Sequence, residues 1–258
     1  MGEQSRKQTI VAVVGAGPAG LMAAIAAARA GTRVTLCERM TRPGVKLLAT
    51  GGGRCNITNT LTAAEIMASF GREGGFMRPA LREMPPEGIR KFFAEAGVET
   101  HAPDGFHVFP RSESASDVLA ALRRNCERLN VKMLTACAVR SLRLKDGGIT
   151  GIEAGGGDTS GSGFIAADAV IMATGGRSYP ELGSDGSGYR LARQAGHTVA
   201  EPVPALVPLV SRERWPRECA GSVNARSRRS TKAKSWKSSA GATAGSSAHS
   251  KRWNARGL

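Results

Sequence analysis

Acidic residues are absent from positions 222–258 of this 258-residue chain, a stretch that holds nine Lys and Arg and nine Ser. Aliphatic side chains larger than alanine are nearly absent there too, Val223 and Leu258 being the two. So little apolar surface cannot offset chain entropy, so this tail is expected to be disordered. It also carries nine of the +15 net charge, leaving +6 on residues 1–221, so the basic balance says little about the body of the protein. Aromatic residues are scarce at 5%, while the 33 glycines show no period of three, which excludes collagen and points to tight turns. The five cysteines (Cys37, Cys55, Cys126, Cys137, Cys219) form no CxxC pair and have no close histidine, which excludes a disulfide framework and a zinc site. One long uncharged run exists, the nineteen residues Ile10 to Ala28, but Gly15, Gly17, Pro18 and Gly20 interrupt it and alanine dominates the rest. It reads against a membrane span or signal peptide, and Arg6 stands where myristoylation needs Ser or Thr; the expectation is a cytoplasmic protein without membrane contact.

What is present begins with a β-branched run, Thr9 to Val14, followed by a helix-forming stretch from Pro18 to Ala30. Between them lies Gly15-Ala-Gly-Pro-Ala-Gly20, a GxGxxG turn between strand and helix. In such a turn Gly15 makes the tight bend, Gly17 lets a pyrophosphate approach the backbone, and Gly20 lets helix and strand come close. Pro18 and Ala19 open the helix, whose amino terminus favours phosphate charge. A second strand, Thr32 to Cys37, ends at Glu38, eighteen residues after Gly20 and suitably spaced to accept a ribose hydroxyl. Together these predict a dinucleotide site. NAD and FAD remain open at this point.

Two further glycine segments bear on that choice. Gly44 to Asn59 contains Gly51-Gly-Gly-Arg-Cys-Asn56, whose backbone N–H groups could lie against a flat or anionic ligand. Ala167 to Gly176 reads as a buried strand running into Ala173-Thr174-Gly175-Gly176. These segments, with HVFP at 107–110, ATGGRSYPELGSDGSGYRLARQAGH at 173–197 and PALVPLV at 204–210, resemble the flavoprotein disulfide-reductase superfamily. More narrowly they resemble the aminoacetone oxidase family of FAD-binding enzymes, NAD(P)/FAD-dependent oxidoreductases, over about residues 8–221. The resemblance implies FAD with its pyrophosphate at Gly15, Gly17, Pro18, Ala19 and Gly20, and its ribose at Glu38. It implies further contacts from Lys46, Gly52, Gly53, Arg54, Cys55 and Asn56, an adenine border at Val139, and Ala173, Thr174, Gly175 and Gly176 under the cofactor. The implied reaction is hydride transfer between flavin and a small organic substrate or NAD(P)H; no residue is assigned as catalytic.

The expected fold is α/β, a Rossmann-like FAD-binding domain over 1–210 with a parallel sheet and a small antiparallel β-meander insertion at about 131–165. Its strands are read at Val131–Ala136, Val139–Leu144 and Ile149–Ala154, before a flexible hairpin at Gly155–Gly163. Helices are predicted at Pro86–Ala96 and Ser114–Leu129, the latter with Ser114 and Asp117 in capping-box spacing. His101, His107 and His197 fall on loops or element ends and read as surface residues sooner than as acids or bases, and Cys55 as packing sooner than as a redox thiol. Residues 211–221 begin a truncated inserted domain and 222–258 read as a frameshifted or truncated tail, so the chain alone is expected to bind FAD weakly or not at all and to turn over negligibly. The alternative is a non-catalytic nucleotide-binding protein whose tail contacts nucleic acid.

Overall fold

The computed structural model describes residues 8–156 and 159–204, so PALVPLV beyond Pro204, the segment 211–221 and the basic tail lie outside the described residues. The chain opens with β1 (Ile10–Val14), α1 (Pro18–Arg29), β2 (Arg33–Cys37) and α2 (Val45–Ala49). After the glycine loop at 50–53 come β3 (Thr58–Asn59), α3 (Ala63–Ser69), α4 (Arg78–Glu83), α5 (Pro86–Glu95), β4 (Thr100–His101) and β5 (His107–Pro110). Then follow α6 (Ala115–Arg128), β6 (Lys132–Leu134), β7 (Ala138–Lys145), β8 (Gly148–Gly156), β9 (Thr159–Ala166), β10 (Ala169–Met172) and α7 (Ser187–Gln194).

A parallel sheet in the order β10-β1-β2-β6 forms the centre, with Val11 opposite Val34 and Ala169. Strand side chains alternate between faces, and both faces are buried, which is why β1 reads as an unbroken apolar run. Val11, Val13, Val34 and Leu36 face a core shared with Leu21 and Ile25 of α1, Phe92 and Phe93 of α5 and Leu122 of α6. Ala12, Val14 and Cys37 face a second core with Val139, Leu142 and Ile152 of the meander and Leu191 of α7. Helix α7 is bound to the meander through Gln194, whose amide accepts the Leu142 N–H and donates to the Leu142 carbonyl, both at 2.9 Å. The nineteen-residue apolar run is divided between β1, the glycine turn and α1. Among the described residues no helix is long and apolar enough to cross a membrane.

The architecture is the Rossmann-like α/β fold with an antiparallel meander, but its strands are distributed differently from the sequence reading. The 131–136 strand joins the parallel sheet as β6, Thr35 opposite Lys132, and the meander is β7-β8-β9. The glycine-rich stretch read as a flexible hairpin supplies strand pairing on both sides of 157–158, because the ladder uses backbone groups and needs no side chains. Strand β10, read as buried, is paired among the described strands with β1 alone, with Ile171 and Met172 over a third exposed. The Ser114 capping box does not form, since the Ser114 hydroxyl pairs with that of Ser116 at 2.7 Å. One forms instead at Thr62 and Glu65, each side chain accepting the other's backbone N–H, which holds the Glu65 carboxyl below its usual range.

Candidate functional site

The glycine turn lies at the carboxyl end of β1, where open α/β sheets present ligand crevices. Gly15 adopts φ +99°, and a Cβ there would stand 2.6 Å from the Ala173 carbonyl oxygen. A Cβ on Gly20 would overlap the Gly15 carbonyl, so that glycine lets α1 approach the turn. Gly17 differs: its φ is an ordinary −72°, and nothing lies within 4 Å of where its Cβ would be. No neighbour among the described residues requires a glycine there.

Glu38, 8% exposed, caps the turn from β2. One carboxylate oxygen accepts the Ala16 N–H at 2.7 Å and the other the Met40 N–H at 2.8 Å. A carboxylate offers about four lone-pair positions, so two remain for a ligand. The Glu38 backbone also ties β2 to the end of β6 and the start of β7, its N–H bonding the Leu134 carbonyl and its carbonyl accepting the Cys137 N–H, both at 2.8 Å.

A crevice of 670 Å³ opens beside this turn. Of the residues singled out in the sequence it brings together Gly15, Gly17, Pro18, Ala19 and Glu38 on one side. Lys46, Val139, Ala173, Thr174 and Gly175 complete that set. Gly20, Gly52, Gly53, Arg54, Cys55, Asn56 and Gly176 are not among its lining residues. Gly20 serves the packing of α1, and the Gly176 carbonyl accepts the Gly186 N–H at 3.0 Å, tying the loop after β10 to the start of α7.

That loop was in the sequence match without a role, and it supplies the lining residues Ser184, Asp185 and Ser187. Lys46 holds it, donating to the Ser178 carbonyl at 3.0 Å, the Ser178 hydroxyl at 3.1 Å and the buried Ser184 hydroxyl at 3.3 Å. Arg39 holds it from the other side, 2.7 Å from Asp185 and 3.1 Å from the Pro180 carbonyl. Burial acts to raise the Asp185 carboxyl, but the Ser187 N–H and hydroxyl and the Arg39 guanidinium outweigh it and hold it below the usual range. The Arg39 Nε is buried without a hydrogen-bond partner among the described residues, an unmatched donor on a residue that lines the crevice. Its position directly after Glu38 was the available sequence signal.

Cys37 and Cys137 meet in the crevice wall, both buried. Burial, then the neighbouring Cys137 thiol, pushes Cys37 up to about 12. Cys55 is buried outside the crevice lining and burial raises its thiol too, the Thr50 hydroxyl partly offsetting this. Neither environment activates a thiolate. His197 is exposed, and His107 bonds Asp104 at 2.6 Å, which with the Phe106 and His107 N–H groups draws the Asp104 carboxyl down. His101 belongs to a separate cluster with Glu113 and Arg54. Among the described residues no group of His, Cys, Asp and Glu could hold a metal ion.

Residues 9–248 match the family described as "HI0933-like protein Rossmann domain". The chain is similar to the 3-dehydro-bile acid delta(4,6)-reductase of Clostridium scindens, 40% identical over 201 residues that make up 77% of this chain and 47% of that protein. It is also similar to the ribosomal RNA dihydrouridine synthase of Escherichia coli, 31% identical over 196 residues, 76% of this chain and 46% of that one. The chain thus spans about half the length of the curated relatives it matches. Among solved structures, the open conformation of a flavocytochrome c3 fumarate reductase shares the fold, with a TM-score of 0.55, 19% identity, and coverage of 74% of this chain and 41% of that one.

Proposed function

The chain belongs to the HI0933-like protein Rossmann domain family, and from that premise we propose that its crevice binds FAD in an oxidoreductase acting on a small molecule. The observation that carries the reading is Gly17: a glycine with open space beside it, at the amino terminus of α1 and on the crevice wall. A pyrophosphate approaching that backbone is a reason for having no side chain there, and the helix terminus favours its charge. The other residues fit the same group. Glu38 retains lone pairs for a ribose, the Arg39 Nε–H lacks a partner, and the Lys46 ammonium stands in the wall nearby. Bound FAD supplies a two-electron carrier whose reduced form donates hydride. The chain's residues would orient it: Glu38 would hold the adenosine end, and Lys46, Thr50 and Thr174, lining the same crevice, would be available to the rest of the cofactor.

The substrate class we propose is a carbon–carbon double bond conjugated to a carbonyl, with NAD(P)H as electron donor. Two similar relatives support this by name, a 3-dehydro-bile acid delta(4,6)-reductase and a ribosomal RNA dihydrouridine synthase. The nucleic-acid alternative rests on residues 222–258, outside the described residues.

The test is FAD titration, followed by flavin fluorescence, of the chain and of Gly17→Val and Glu38→Ala. Gly17→Val is expected to weaken binding at least about a hundredfold by blocking backbone approach, and Glu38→Ala by about ten- to a hundredfold through loss of a charged acceptor worth ~1.5–3 kcal/mol. Unchanged affinity in both variants refutes the reading.

A further inference from the structure

Three segments far apart in sequence bring charge together outside the crevice lining. Glu113, just beyond β5, bonds the His101 Nε2 of β4 at 2.5 Å through one oxygen and the Arg54 Nη1 at 3.3 Å through the other. The Arg54 guanidinium lies 4.4 Å from the Phe109 ring centroid, and its Nε donates to the Gly51 carbonyl at 3.1 Å. Ring, carbonyl and carboxylate thus fix the planar fork. Two of the non-glycine residues with left-handed backbone fall at this cluster, Glu113 at φ +54° and Cys55, next to Arg54, at +62°. Such strain persists where surrounding contacts over-determine it, and it gathers at functional sites.

The trio is not closed off. The Arg54, Glu113 and His101 side chains are 49%, 37% and 27% exposed, and His101 Nδ1 and Arg54 Nη2 have no partner among the described residues. It also adjoins the crevice: the lining residue Thr50 accepts the Cys55 N–H at 3.1 Å, and a Cβ on the next residue, Gly51, would stand 3.2 Å from the Phe109 ring. The loop that carries Arg54 thus continues from the wall of the crevice that Glu38 also lines.

We propose that Arg54 and His101, both oriented by Glu113, form the binding site for the carbonyl oxygen of the substrate. This rests on the reading of the crevice as an FAD site for conjugated carbonyl compounds. In such a reduction a hydride from the reduced flavin, recharged by NAD(P)H, would bond to the far carbon of the double bond and shift its π pair onto the carbonyl oxygen; a solvent proton at the adjacent carbon would then restore the carbonyl, and preoriented N–H donors would stabilise the intervening oxyanion. Arg54 presents free N–H groups, and His101 presents Nδ1, its Nε2 being held by Glu113. Arg54, given to the cofactor in the sequence reading, here serves the substrate.

The test uses the whole chain with para-nitrophenol, whose phenolate carries a delocalised oxyanion and absorbs differently from the phenol. Phenolate binding and FAD binding are measured on wild type, Arg54→Ala, Arg54→Lys and His101→Gln. The phenolate dissociation constant is expected to rise at least about tenfold in Arg54→Ala and His101→Gln, and less in Arg54→Lys, which keeps charge but loses the fork. FAD affinity is expected to stay within about twofold throughout, since neither residue lines the crevice. Absence of phenolate binding in wild type, or equal binding in the variants, overturns the site. Loss of FAD affinity with phenolate binding unchanged overturns it too, returning Arg54 to the cofactor. Variant-sensitive phenolate binding, with FAD affinity unchanged in Gly17→Val and Glu38→Ala, supports the oxyanion site and removes the cofactor reading of the crevice.

Discussion

The glycines at 15–20 and those at 51–53 look alike in sequence and are held in opposite ways. In the first segment the fold itself excludes side chains at Gly15 and Gly20, because strand β1, helix α1 and the Ala173 backbone converge there, while Glu38 ties the Ala16 N–H. In the second, all three glycines are exposed with φ between +57° and +89°, and a Cβ on Gly52 would touch nothing. Close backbone approach excludes side chains in one place, added at Gly15 to a positive φ, while in the other backbone torsion is the chief reason for glycine. The clamped turn forms part of the crevice wall. The open loop carries an arginine whose position is fixed from outside by Phe109 and Glu113.

The largest expected effect breaks the clamped turn. Gly20→Val drives a branched side chain into the Gly15 carbonyl, and an overpacked site of this kind costs about 3 kcal/mol or more, read as a lower urea midpoint or as failure to fold. A midpoint equal to wild type would mean that α1 can move away from the turn.

A smaller effect comes from the thiols flanking the two segments. Cys37, at the end of β2 beside the turn, is raised from 9.0 to about 12, so the folded state keeps a proton that the unfolded chain loses above about pH 9. Its contribution is present below that pH and falls at up to ~1.4 kcal/mol per pH unit towards 12. Urea unfolding of wild type and Cys37→Ala at pH 8 and 10 measures the difference, and equal pH slopes would refute the assignment. Alkylation followed by peptide mass spectrometry sharpens the comparison, with Cys55 reacting before Cys37.

The smallest effect is at the open loop. Gly52→Ala meets no atoms and pays only the left-handed conformation, about 1–2 kcal/mol, with FAD affinity within about threefold. A loss as large as that at Gly20 would show that the loop is packed as tightly as the turn.

Much of the turn was legible because its causes are local. Strand, turn, helix, strand and acid follow one another within 10–38, and a period of two or 3.6 with glycines at fixed offsets reports their geometry directly. The loop at 177–187 was visible as a string but silent as to place, since Lys46 and Arg39 hold it across more than 130 residues of chain. The same limit misplaced β6: a short β-branched run shows that a strand forms, and the side chains do not say whether β2 or β7 takes it.

By itself, then, the sequence determined the dinucleotide unit, the α/β class and the members of the crevice closest to the glycine turn, because contacts between near neighbours leave regular spacings. The tertiary structure alone decided that β10 pairs with β1, that Arg39 and the Ser184–Ser187 segment join the crevice, and that Arg54, His101 and Glu113 meet. Those pairings come from sheet order and loop closure, and separations of 59 and 12 residues between Glu113 and its two partners leave no period to read.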